Sequence, residues 1–137
     1  QLNRSIAMGA KVVLGGHRND AYFEPTIVTN ITAEMPVFNE EVFGPVATII
    51  TFDTIEDAIK ISNNSQFGLG VSVFTQNIPF IKTKIPAFEE GAVFLNEMIK
   101  SDPRLPFGGV KKSGYGRELS EEGIREFVNI KTVLINN

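Results

Sequence analysis

The stretch Leu105-Pro-Phe-Gly-Gly-Val-Lys-Lys-Ser-Gly-Tyr-Gly-Arg117 constrains this chain more than any other. Gly108, Gly109, Gly114 and Gly116 give a backbone that can turn sharply or admit a close neighbour. Phe107 stands just before the bend, with Lys111, Lys112 and Arg117 after it. A flexible linker would carry more Ser and less Phe, Leu and Val. The stretch therefore predicts a shaped loop leading into a helix. Ser113-Gly114-Tyr115-Gly116-Arg117-Glu118-Leu119 approaches a nucleotide-binding loop, but Leu119 occupies the place of the third glycine and no strand directly precedes it. A dinucleotide phosphate loop is excluded on that ground.

Around this loop the sequence alternates short strands and helices. Strands are predicted at Lys11–Leu14, Tyr22–Asn30, Val46–Phe52, Gly70–Thr75, Ala92–Asn96 and Ile130–Ile135. Pro25 places the second of these at an edge or marks its start. Helices are predicted from Thr54, through a capping box with Asp57, from Asn77 towards Glu90 with a break at Pro86, and over Leu119–Val128. The alternation predicts an α/β fold, a mostly parallel sheet with flanking helices. A length of 137 residues suits one domain. Leu2, Ile6 and Gly9 follow helical spacing, so residues 1–10 read as the end of a helix begun elsewhere, as in a fragment or processed chain.

Composition removes several chemistries. The sequence has no cysteine and a single histidine, His17, so a disulfide, a thiolate metal site, a cysteine nucleophile and a Ser-His-Asp triad are unsupported; no metal site is expected. A net charge of −3 gives no reason to expect a nucleic acid or an anionic membrane as partner. No apolar run reaches membrane-spanning length, and a soluble, cytoplasmic chain is the expectation.

Three places hold candidate site residues. Glu40-Glu41 precede Phe43 and the Phe-Gly-Pro corner at Gly44-Pro45. A carboxylate accepts two hydroxyl hydrogen bonds, which suits a ribose diol, and a ring beside it offers a wall to a planar heterocycle. The same residues equally describe exposed acids at a helix end beside a core phenylalanine. Phe107 is either core or pocket wall. Arg104, between Pro103 and Pro106, is either aimed at an anion or paired on the surface with Asp102.

Three segments then carry a resemblance: Glu40-Glu-Val-Phe-Gly-Pro-Val46, Asn63-Asn-Ser-Gln-Phe-Gly-Leu69, and Pro106-Phe-Gly-Gly-Val-Lys-Lys-Ser-Gly-Tyr-Gly-Arg-Glu118, closed by Asn129-Ile-Lys-Thr-Val133. In this order they resemble the C-terminal part of the aldehyde dehydrogenase superfamily, whose members oxidise aldehydes to acids with NAD or NADP through a cysteine nucleophile. The resemblance implies that residues 1–128 are part of the catalytic domain and that 129–137 form an oligomerisation strand on a neighbouring subunit of a homo-oligomer. By resemblance Glu41 binds the nicotinamide-side ribose, Phe43 packs near the nicotinamide, and Phe107 lines the aldehyde tunnel. Asn96-Glu-Met98 and Ser101-Asp-Pro-Arg-Leu-Pro-Phe107 look closest to succinate-semialdehyde dehydrogenases, where Ser101 matches a position holding the substrate carboxylate and Arg104 assists. The family's nucleophilic cysteine, general-base glutamate, oxyanion-hole asparagine and nucleotide-binding domain lie upstream. No catalytic residue is therefore assigned within these 137 residues, and the isolated chain is expected to be inactive. The competing reading is a noncatalytic assembly or binding module that kept this fold.

Overall fold

A computed structural model describes residues 1–136. The chain forms two compact units, Gln1–Ser65 and a second beginning at Gln66, where sequence length alone suggested one.

In the first unit, helix α1 (Leu2–Ala7) is followed by strands β1 (Lys11–Leu14), β2 (Arg18–Asn19), β3 (Tyr22–Phe23) and β4 (Thr26–Thr29). Helix α2 (Pro36–Asn39), strand β5 (Val46–Thr48) and helix α3 (Ile55–Asn63) complete it. Strand β4 lies between β1, antiparallel to it, and β5, parallel to it. Its alternation puts Thr26 and Val28 on one buried face, as a period of two requires. Val28 joins Leu2, Ala10, Met35 and Val37 in the core. Ser5 Oγ donates to the Gln1 carbonyl (2.9 Å) and accepts from the Val37 amide (3.1 Å), which ties α1 to α2. Pro25 does precede the strand start, but it also splits the expected Tyr22–Asn30 strand in two. Gly15, at φ +68°, is required here, because a Cβ would stand 2.2 Å from the Pro25 carbonyl oxygen.

Helix α3 begins as its capping box predicts: Thr54 Oγ1 accepts from the Asp57 amide (3.2 Å) and donates to its carboxylate (2.6 Å).

The second unit holds β6 (Phe67–Gly68), β7 (Val71–Val73), helix α4 (Ile78–Lys84), a 3₁₀ turn (Ile85–Ala87), β8 (Val93–Leu95), β9 (Val110–Lys111) and helix α5 (Ser120–Arg125). Asn77 caps α4 through the Phe80 amide (3.2 Å), and the helix yields to the 3₁₀ turn at Pro86, as expected of a residue without an amide donor. Strands β7 and β8 are parallel; β6 and β9 are antiparallel.

Pairing is thus mixed rather than mostly parallel. Among the described residues two strand pairs are parallel and three antiparallel. The reason is local: the link from β1 to β4 is the β2–β3 hairpin rather than a helical crossover, so β4 returns antiparallel. The expected closing strand Ile130–Ile135 has no ladder among the described residues. No strand forms there in this chain, and Ile130 and Leu134 are 86% and 83% exposed. A ladder needs a second backbone, and among the described residues none pairs with this segment. The proposed strand boundary, 129–137, includes position 137, which lies outside the described residues. The last helix is shorter than Leu119–Val128, and Phe127 is exposed. Among the described residues no helix is long and apolar enough to cross a membrane.

Candidate functional site

In the first unit the candidate residues sit on a clipped corner. Helix α2 ends at Asn39, and Glu40 is already extended, at φ −108° and ψ 150°. Beyond it the Gly44 amide donates to the Val42 carbonyl (2.9 Å), the Val46 amide to the Gly44 carbonyl (2.8 Å), and the Thr26 amide to the Pro45 carbonyl (2.8 Å). The corner is therefore fastened to the start of β4, and Phe43 rides on a fixed backbone.

The adjacent acids divide their work. Glu40 takes hydrogen bonds from Gln1 Nε2 (2.9 Å) and from Arg4 Nη2 at both oxygens (2.9 and 2.8 Å). Those donors, Gln1 first and Arg4 second, hold its carboxyl below the usual carboxylate range. Glu41 is exposed, and only its backbone carbonyl is engaged, by Gln1 Nε2 (3.1 Å). Glu40 is tied to the first helix; the Glu41 carboxylate makes no hydrogen bond among the described residues. Phe43 is 93% exposed, which removes the core reading of that ring. It lines an open hollow of about 520 Å³ with Leu2, Arg18, Phe23 and Pro45, whereas Glu41 stands outside that lining.

In the second unit the glycine-rich loop is built from its own cations. Arg117 Nη1 donates to the carbonyls of Gly109 (3.1 Å) and Gly116 (2.6 Å), and Lys111 pairs with Glu89 (2.7 Å). The Lys112 ammonium bonds the Gln66 side chain while its amide donates to the Gln66 carbonyl (2.9 Å). Ser113 Oγ accepts from the Gly68 amide (2.9 Å). These charges fix the loop rather than attract a ligand. Phe107 exchanges two 2.8 Å backbone bonds with Glu118, an isolated antiparallel bridge. Its half-buried ring lines two hollows, one of about 410 Å³ with Val93, Lys100, Asp102 and Leu105, the other of about 380 Å³ with Leu69, Ser113 and Tyr115.

Ser101 and Arg104 are both exposed, and neither lines these hollows. Arg104 is engaged by Asp102: its Nε donates to Oδ1 (2.9 Å), its Nη2 to Oδ2 (2.6 Å), and its amide also to Oδ1 (2.9 Å). This side-on pair lowers the Asp102 carboxyl well below its ordinary value and raises the Arg104 guanidinium. The Nη1 edge of the guanidinium takes no part in it. Asp102, which the sequence offers as the surface partner of Arg104, does pair with it and also lines the hollow beside Phe107; Lys100, in the same lining, is a residue the sequence does not single out. The signal for Asp102 is Asp-Pro, a turn former whose carboxylate takes the amide two residues on. Among the described residues no group of three or more acidic, imidazole or thiol side chains is placed to hold a metal.

Comparison with known proteins assigns the chain. The sequence profile described as "Aldehyde dehydrogenase family" matches residues 1–133. Succinate-semialdehyde dehydrogenase [NADP(+)] of Mycobacterium leprae is 49% identical over 98% of this chain and 30% of its own length. The crystal structure of succinic semialdehyde dehydrogenase from Streptococcus pyogenes in complex with NADP+ matches 99% of the chain at a TM-score of 0.91 and 40% identity, again over 30% of that protein. Betaine aldehyde dehydrogenase from Staphylococcus aureus in complex with NAD+ matches 92% of the chain and 26% of its own, at a TM-score of 0.85 and 37% identity. The chain thus spans about 30% of the length of the curated relatives it matches. With its three motifs on an α/β framework shared by these enzymes, the chain belongs to the aldehyde dehydrogenase family.

Proposed function

We propose that these 137 residues are the C-terminal part of an NAD(P)-dependent aldehyde dehydrogenase that oxidises a small, carboxylate-bearing aldehyde, such as succinate semialdehyde, to its acid. Residues 1–128 belong to the catalytic domain, and 129–137 supply an oligomerisation strand to a neighbouring copy. The observation that carries the reading is similarity running along 98–99% of the chain to enzymes named for that aldehyde. The nucleophilic cysteine, the general base and the nucleotide-binding domain are assigned to sequence outside these residues.

The corner at Glu41 and Phe43 fits a nicotinamide nucleotide. A carboxylate with unused acceptors is what a ribose diol needs, and a bare ring on a fastened backbone suits a flat heterocycle. The chemistry that bound NAD or NADP supplies is hydride acceptance. This chain's contribution is positioning: Glu41 orients the ribose and Phe43 flanks the ring. Phe107 walls the aldehyde path. Ser101 donates its hydroxyl to the substrate carboxylate, and Arg104 offers the guanidinium edge that Asp102 leaves unused.

The test uses both lengths of protein. The isolated chain is expected to turn over no aldehyde with either coenzyme, because it has no cysteine. The natural polypeptide carrying this sequence should have a mass about three times 15.1 kDa and prefer succinate semialdehyde to butanal. Turnover by the isolated chain, or no preference in the longer one, would refute the assignment.

A further inference from the structure

Gly91 touches Gly108 closely enough that nothing larger fits. A Cβ on Gly91 would stand 2.0 Å from the Gly108 carbonyl oxygen, 3.0 Å from its carbon and 3.1 Å from the Gly109 Cα. All three atoms are backbone, so no side chain can swing aside to relieve the contact. Backbone torsion does not explain the glycine, because its φ lies outside the left-handed region. Close approach is the remaining reason.

The contact falls on the Gly108–Gly109 peptide, and Gly108 is the residue bonded directly to Phe107. Phe107 is held on its other side by the two 2.8 Å bonds it exchanges with Glu118. Gly91 is itself anchored, its amide donating to the Gly68 carbonyl (3.1 Å), and it leads directly towards β8. A displaced Gly108 must therefore carry Phe107 with it. We propose that Gly91 is a positioning residue for Phe107: the bare α-carbon sets where that ring stands and so which aldehydes pass it. The inference rests on the reading that Phe107 walls the aldehyde path.

Neighbouring Gly68 supplies the control. A Cβ there would meet mainly Val110 Cγ2 (2.7 Å), a side-chain methyl rather than backbone, and no Gly108 atom is among its nearest neighbours. In the full-length enzyme, Gly91→Ala should raise KM for a wide aldehyde such as benzaldehyde about tenfold more than for acetaldehyde, since misplacement at this scale readily costs that much. Gly68→Ala should leave the KM ratio unchanged. In a Phe107→Ala background the shift caused by Gly91→Ala should vanish, while any loss of thermal stability persists. If Gly91→Ala is insoluble, Gly108→Ala serves in its place, because its Cβ would press on the Gly116 carbonyl oxygen (2.9 Å) from the other side and should shift the same ratio. An equal change for every aldehyde, or a shift that survives removal of Phe107, overturns the role of Gly91. If Phe107→Ala itself leaves every KM unaltered, the reading of Phe107 falls and the proposal with it.

Discussion

Arg104 lies side-on against Asp102, its Nε and Nη2 donating to the two carboxylate oxygens at 2.9 and 2.6 Å. Three bonds converge on Asp102, since the Arg104 amide joins them at 2.9 Å. The turn and the guanidinium direction are thereby set by the same acid. An acidic substrate would meet the opposite edge of an already oriented arginine. In the full-length enzyme Arg104→Ala should raise KM for succinate semialdehyde about tenfold more than for butanal, a difference of ~1.4 kcal/mol. Steady-state kinetics with both aldehydes measures it, and equal effects remove Arg104 from the site.

The coenzyme corner separates binding from stability. Phe43 is 93% exposed, so Phe43→Ala should change unfolding free energy by no more than ~0.5 kcal/mol. The same substitution, and Glu41→Gln, should raise KM for NAD or NADP about tenfold in the full-length enzyme. A coenzyme KM unmoved by both variants would return the pair to plain surface.

Glu40 makes stability depend on acid. Its folded pKa is lowered by Gln1 and Arg4, so its contribution is full above the ordinary glutamate value of about 4.3 and is lost as pH falls through the depressed folded value. Glu40→Gln should therefore lower the urea midpoint at pH 7, and the gap from the parent chain should close progressively below about pH 4. A gap that is constant with pH would mean that the ion pair contributes nothing.

The first unit's core offers the largest stability effect. Met35 is 1% exposed and packs with Val28, Val37 and Leu2, so Met35→Ala should cost about 2–5 kcal/mol in equilibrium unfolding. A loss near zero would mean that the cluster collapses around the gap.

The exposed tail gives a direct test of the proposed oligomerisation strand. If the tail adds a strand to a neighbouring copy as proposed, Leu134→Pro removes one of its backbone donors, and Leu134 itself buries little in this chain. Light scattering on the full-length enzyme should show a smaller assembly for the variant at unchanged specific absorbance. An unchanged assembly mass counts against the strand.

Local physics was legible in the residues themselves. The Thr54–Asp57 capping box, the Asn77 cap and the break at Pro86 are rules between near neighbours, and all three occur where the sequence places them. The motifs at Glu40–Val46 and Pro106–Glu118 likewise named the family, because they are contiguous. Strand direction could not be read this way: it depends on which backbone lies alongside, and β4 pairs one way with β1 and the other with β5. Leu119 shows the same limit. It breaks a glycine pattern in the sequence, yet takes φ +65°, because the next amide is tied back to the Pro103 carbonyl (3.1 Å).

What the sequence by itself determined is therefore the family, the capped helices and the short set of residues worth testing. Only the tertiary structure decided between the two acids, giving Glu40 to Arg4 and leaving Glu41 unclaimed, whereas the Arg104–Asp102 pair, two residues apart, was already one of the readings the sequence offered. It also set Gly91 against the Gly108 carbonyl. The physical reason is common to the acids and Gly91: a cap or a turn is settled over a few bonds of chain, whereas the Arg4–Glu40 pair or a carbonyl 2.0 Å from a missing methyl exists only after distant segments have met.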